Sequence, residues 1–166
     1  MKTFTEKLNG AKGPGDIFEL VKEAAWKTRG IGRAGLSLGL IELGSSEHAW
    51  IGGFHQLGSN MIVMNKAPIR SITLKSPELF RPYMFHVLLH EYIHSLGYVD
   101  EGLVRRMVHD ITVELFGEEH TTAQMSQNMA SFIPELSHAP EGFEPSENAP
   151  IELVRDFDRS STEYIM

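Results

Sequence analysis

Between Tyr83 and Gly97 the chain reads YMFHVLLHEYIHSLG, and Phe85, Leu88, Leu89, Tyr92, Ile93 and Leu96 recur at i, i+3, i+4, i+7, i+8 and i+11. That is the period of a helix with one face on a core. Pro82 is placed as its first residue, where a proline gives up only a donor that has no partner inside the helix. Gly97 is placed just past its end, where a left-handed residue closes the last turn. Whatever fold the chain adopts must bury this helix, and the other elements are read around it.

Asp16 precedes IFELVKEAAWKTRG, whose Ile17, Leu20, Val21, Ala24 and Ala25 keep helical spacing. Asp16 reads as the N-cap and Gly30 as the stop. Residues 35–43 alternate as a strand does and run into a turn at Gly44-Ser45-Ser46. The runs at 49–56 and 59–66, separated by Leu57-Gly58, predict an antiparallel hairpin. Pro68 and Pro77 make 67–81 read as a loop. A second helix is expected over 101–117, with Leu103, Val104, Met107, Ile111 and Leu115 inward, and a third from about Thr121 to Phe132. The fold class that follows is α+β: a small, mostly antiparallel sheet packed with an N-terminal helix, a central helix and two helices after it.

With 166 residues, 42% of them hydrophobic, the chain can build one core, assigned to residues 1–134. Residues 135–166 carry eight acids (Glu135, Glu141, Glu144, Glu147, Glu152, Asp156, Asp158, Glu163) against Arg155 and Arg159, so −6 of the net charge of −7 lies there. Pro140, Pro145 and Pro150 predict an extended or disordered tail, whose run IELVRDFD (151–158) either docks on the body or stays free. A nearly neutral body lacks the basic footprint of a nucleic-acid binder, so no nucleic-acid partner is expected. No apolar run approaches the roughly 18 residues of a membrane helix. The polar N-terminus does not read as a secretory leader, and the absence of cysteine removes disulfides and thiolate chemistry. A cytoplasmic location and no membrane partner are the expectations.

Within the central helix, His90 and His94 lie one turn apart on the same face, about 6 Å along the axis. Both imidazoles can converge on one metal ion, and Glu91 between them can reach a water that the ion holds. A zinc ion lowers that water's pKa toward about 7, and a neighbouring carboxylate takes its proton. His90-Glu91-x-x-His94 alone arises by chance with a probability of roughly 4% in a chain of this composition. Gly97 and Asp100, three and six residues after His94, add more. The glycine ends the helix abruptly and swings the next residues toward the metal.

The whole pattern, His90-Glu91-x-x-His94-x-x-Gly97-x-x-Asp100, resembles the zincin metallopeptidases and is closest to the metzincins. Most metzincins have histidine at the last position, and some small secreted bacterial ones have aspartate. The resemblance implies a zincin-like fold with one zinc per chain. It implies His90, His94 and Asp100 as ligands, Glu91 as general base, and hydrolysis of peptide bonds in peptides or unfolded proteins. It also implies a methionine turn beneath the metal, for which Met125 or Met129 is available, and substrate added as a strand beside residues 59–66. Asp100-Glu101-Gly102-Leu103 is similar to the Glu-Gly-Leu of glutamate-type zincins, which would make Glu101 the third ligand instead. Leu96-Gly97-Tyr98 is shared with the bacterial rRNA-maturation endoribonucleases, whose three ligands have this spacing. Those proteins lack the glutamate after the first histidine and have histidine as third ligand. A metal-binding protein without catalysis is the other alternative.

Other candidates have plainer readings beside the functional one. His86 sits a turn before His90, too far up the helix to join the same ion. His109 or Asp110 could orient a ligand imidazole or simply face solvent. His120, or a tyrosine among Tyr83, Tyr92 and Tyr98, could stabilise an oxyanion; Tyr98 is nearest the metal, and Tyr92 is placed for packing. His48 and His55 read as structural. The acidic tail could cover the cleft and restrain the enzyme.

Overall fold

Helix α4 (Phe80–Ser95) is buried on nearly every side, from Tyr83 to Ile93 without a break. The structure, a computed structural model, describes residues 1–44, 49–140, 143–146 and 149–158. Among these residues the fold is α+β, with α1 (Phe4–Asn9), α2 (Pro14–Arg29), β1 (Ser37–Ile41), β2 (Gly53–His55), β3 (Met61–Asn65), α3 (Lys66–Lys75), α4, α5 (Glu101–Phe116), α6 (Thr121–Gln127) and β4 (Ile151–Val154). Helix α4 packs against α2, α5 and α6 on one side and against β2 on the other. A one-sided apolar stripe leads one to expect the opposite face, which carries His86, His90 and Glu91, to be solvated. It is covered instead, by β2 and by the chain that follows α6.

The sheet has the order β2-β3-β1-β4 and is mixed. β2 and β3 form the expected antiparallel hairpin, with Phe54 opposite Val63. β1 lies parallel to β3, with Leu38 opposite Ile62, and antiparallel to β4, with Leu40 opposite Glu152. β3 is therefore an interior strand, already paired on both sides. The edge strand next to α4 is β2, with Gly53 and Phe54 buried, which corrects the expectation that substrate adds beside residues 59–66.

Several boundaries also differ from the sequence reading. Residues 67–81 are not a loop. Asn65 caps α3 by accepting from the Ala67 amide, and Pro68 falls in the first turn, where its missing N–H loses no bond. A single 3₁₀ turn at Pro77–Leu79 leads into α4, so the helix starts at Phe80 and Pro82 is its third residue. Helix α2 starts at Pro14 with Gly13 as N-cap. Asp16 sits in its first turn and accepts from the Lys12 amide at 2.9 Å. Helix α1 is announced by a capping box, Thr3 with Glu6, that the sequence reading passed over. The third predicted helix ends early, at Gln127, with a 3₁₀ turn at Met129–Ser131.

The last described segment docks. β4 completes the sheet, the Phe157 ring stacks on Phe18 at 4.0 Å, and Asp158 Oδ1 receives Lys22 Nζ at 2.6 Å. Phe157 is buried with Ile17, Phe18 and Val21 of α2 in the main core. No helix among the described residues is long and apolar enough to cross a membrane.

Candidate metal centre

The C-terminal end of α4 is closed by Gly97, at φ 103°, a conformation that a side chain would strain. The chain then turns through Tyr98 and Val99, and Asp100 starts α5. Asp100 is the N-cap: its Oδ1 accepts from the Gly102 amide at 3.2 Å and its side chain is exposed. That bond turns the Asp100 carboxylate over its own helix end. The next residue, Glu101, faces α4. Its Oε1 lies 2.6 Å from His94 Nε2, and its Oε2 lies 3.1 Å from His90 Nε2. The structure thus brings His90, His94 and Glu101 together, with one donor atom of each within 4.8 Å of the others. It does not bring Asp100 to them, contrary to the expected register.

The chemistry of these donors fits a cation. The Tyr98 carbonyl lies 2.7 Å from His94 Nδ1, and a carbonyl can only accept, so Nδ1 carries the hydrogen. In a neutral ring Nε2 is then a lone pair, and it faces a carboxylate oxygen at 2.6 Å. Two acceptors at that separation repel unless a proton or a metal ion lies between them. Ligands about 2.0–2.2 Å from a tetrahedral zinc stand roughly 3.4 Å from one another, close to the spacing of His90 Nε2 and Glu101 Oε2. The burial of His94 by itself lowers its imidazole, but Glu101, Glu91 and the Tyr98 carbonyl together raise it above its ordinary value. Burial likewise opposes the ionisation of Glu101, and the two histidines overcome it and hold the carboxyl well below its usual range.

Glu91 is buried and lines a cavity of about 60 Å3 with His86, His90 and Met129. Its carboxyl is pushed up by burial. Gly53 allows this placement. A Cβ on Gly53 would come within 2.9 Å of the Val63 carbonyl and 3.1 Å of Val87, so the position between β3 and α4 has to stay bare.

One histidine escaped the sequence reading. His138 stacks on His90, with ring centroids 4.9 Å apart, and its Nδ1 lies 3.9 Å from Glu101 Oε2. Lost hydration against the protein, with His90 alongside, lowers its imidazole, although 41% of the side chain stays exposed. It is put there by a parallel bridge between Ile51 and Ser137, in which the Ser137 amide donates to the Trp50 carbonyl at 3.0 Å. Nothing in the local sequence around His138 marks that pairing.

The remaining candidates fall elsewhere. Met129 lines the cavity, whereas Met125 is buried in the core from α6. His109 Nδ1 meets Ser126 Oγ at 2.9 Å, and Asp110 is exposed. His120 caps α6 and stacks on Phe116. His55 meets the Ser59 carbonyl. Tyr92 bonds the Arg33 backbone, and Tyr98 serves the site through its carbonyl rather than its hydroxyl. Tyr83 Oη and His86 Nδ1 are buried without a hydrogen-bond partner among the described residues. His48 lies outside the described residues. No protein-family model, no curated protein and no solved structure matches the chain.

Proposed function

We propose that this chain is a zinc-dependent hydrolase of zincin type that cleaves peptide bonds in peptides or unfolded proteins. His90, His94 and Glu101 would hold one zinc ion, and Glu91 would be the general base. The observation that carries the reading is the convergence of three acceptor groups beside a buried carboxylate that lines a cavity. With Glu101 in place of Asp100, the ligand set follows the glutamate-type register rather than the metzincin one. A zinc ion bound there supplies Lewis acidity, lowering the pKa of a water toward about 7 and polarising a carbonyl.

The chain's own groups do the rest. The Tyr98 carbonyl holds His94 in the tautomer whose Nε2 is free to ligate. Glu91 accepts the proton of the attacking water on a carboxylate oxygen and delivers it to the leaving amine. The walls formed by Val87, Leu136 and Met129 keep bulk water from that carboxylate. The edge of β2 gives an extended peptide backbone a strand to lie against.

Elemental analysis of tag-free protein, paired with an unfolded-protein cleavage assay, tests the reading. About one zinc per chain and zinc-dependent cleavage are expected. Zinc without cleavage would reduce the protein to a metal-binding module, RNA cleavage in place of peptide cleavage would make it a nuclease, and no zinc uptake would end the proposal.

A further inference from the structure

Between Pro134 and Pro140 the chain passes from one face of the sheet to the other, and it does so beside the metal centre. Ile133, before this segment, is buried in the main core with Ile62 and Met64 of β3. Ala139 and Phe143, after it, pack on Ile41, Phe54 and Val63 on the opposite face. Between those anchors Glu135, Ser137 and His138 are exposed. The Ser137 amide donates to the Trp50 carbonyl at 3.0 Å, and Leu136 Cδ1 lies 3.5 Å from where a Cβ on Gly52 would stand. The segment thus lines the cavity beside Glu91 and bridges to Ile51, two residues before β2. It occupies backbone at the edge that an extended peptide would use.

This segment carries His138 to the centre. The His138 ring stacks on His90, and its Nδ1 stands 3.9 Å from Glu101 Oε2. No hydrogen bond among the described residues commits either of its ring nitrogens. Ligands of one tetrahedral zinc stand roughly 3.4 Å apart, so Nδ1 is about half an ångström beyond ligand spacing from Glu101. His138 lies outside the tight group of three. A turn about its side-chain bonds brings it in, and its exposed side chain has room to make that turn.

We infer that His138 is a fourth protein ligand of the ion that His90, His94 and Glu101 would hold, and that residues 136–138 are the lid that delivers and withdraws it. The inference rests on the metal-site part of the hydrolase reading and adds the regulation of that site. Four protein ligands close a zinc site, whereas three leave the position that a reactive water needs. With His138 in place the centre keeps its metal and does not hydrolyse. With the segment lifted, the fourth position passes to water beside Glu91. A short exposed segment opens far more readily than the buried helices around it. A peptide strand competing for the Trp50 carbonyl is the chemistry that lifts it.

X-ray absorption at the zinc edge counts the imidazoles on the metal, a readout that a mere packing role for His138 does not move. Three imidazoles and a carboxylate are expected in the wild type. His138→Ala should show two, with zinc affinity at least about tenfold weaker. Ser137→Pro, which removes the tie and keeps the imidazole, should show fewer than three. Saturated with zinc, His138→Ala should cleave unfolded protein faster than the wild type, by the inverse of the wild type's open fraction. Two imidazoles in the wild type, or a count that His138→Ala leaves unchanged, overturns the inference; so does a zinc-saturated His138→Ala that cleaves no faster than an active wild type. The wild-type count decides the matter even where a variant fails to fold. Two imidazoles with zinc-dependent cleavage removes the lid and keeps the hydrolase. Three imidazoles with no cleavage by any form keeps the fourth ligand and refutes the hydrolase, and no zinc uptake ends both.

Discussion

Glu101 reaches back across the turn after α4 so that its carboxylate lies 2.6 Å from His94 Nε2 while the Tyr98 carbonyl holds the other nitrogen of the same ring. Both sides of the imidazole are thereby committed to acceptors, so either a second ring proton or a metal ion lies between His94 and Glu101. Asp100 caps α5 through Oδ1, and it is Glu101 that faces the two histidines of α4.

Two alanine variants separate these residues. Glu101→Ala should lose zinc, since it removes one of three ligands, and elemental analysis should read well under one ion per chain. Asp100→Ala should keep the metal and lose only its cap, about 1 kcal/mol of stability by urea denaturation. Zinc lost from the Asp100 variant and kept in the Glu101 variant would restore the metzincin register.

Zinc and protons should compete for the same nitrogens. His94 is raised above the ordinary 6.5, and Glu101 is depressed below 4.5. In the metal-free protein the raised His94 contributes stability that is present below the unfolded histidine value and is lost as pH rises through its folded value. The depressed Glu101 contributes stability that is present above the ordinary glutamate value and is lost as pH falls through its folded one. The metal-free pair is therefore worth most between these limits. Zinc displaces the proton, so its affinity should climb with pH across the histidine range. Calorimetry in buffers of different ionisation enthalpy should show protons released on zinc uptake, more of them as the pH is lowered through the histidine range. Uptake with no proton release even below the ordinary histidine value of 6.5 would mean that His94 is not a ligand.

Replacing Glu91 tests the general base. Glu91→Gln keeps the size and the neutral hydrogen-bonding capacity of a protonated carboxyl, so zinc content should stay near one ion per chain. Hydrolysis should drop by about 10²–10⁴, the range for removing a general base. A variant that cleaves at the wild-type rate would put the base elsewhere, and His138 would be the first place to look.

What could be read from the chain and what could not divide along a physical line. His90, Glu91 and His94 share one helix, so helical geometry alone placed them on a common site, and the Gly97 turn followed from the need for a left-handed residue. Asp100 and Glu101 could not be told apart by spacing, because they differ only in which one folds over the helix end. His138 was invisible because its position depends on a backbone bridge from Ser137 to Trp50, across most of the chain. Helix α3 was hidden behind Pro68 and Pro77, which read as breakers although one lies in a first turn and the other lies beyond the end. The capping box of α1 was legible and overlooked.

The acidic tail changes meaning once β4 is seen. A segment that merely covers a cleft could be cut away, and removing residues 135–166 would then test restraint directly. Here the same cut would also take β4 from the sheet, Phe157 from its stack on Phe18 and Asp158 from Lys22. Lys22 would lose its buried partner and keep only Glu19 beside it. Phe157→Ala alone should cost about 3–5 kcal/mol, as for a buried aromatic, read as a lower urea midpoint at unchanged slope. A loss below about 1 kcal/mol, the size of a typical surface change, would show that the strand is not part of the folded body. With the predicted loss in hand, altered activity in a truncated chain could not be taken as release of a lid. Ser137→Pro would be a narrower probe of restraint, because it removes the amide that ties His138 over His90 and leaves β4 in the sheet.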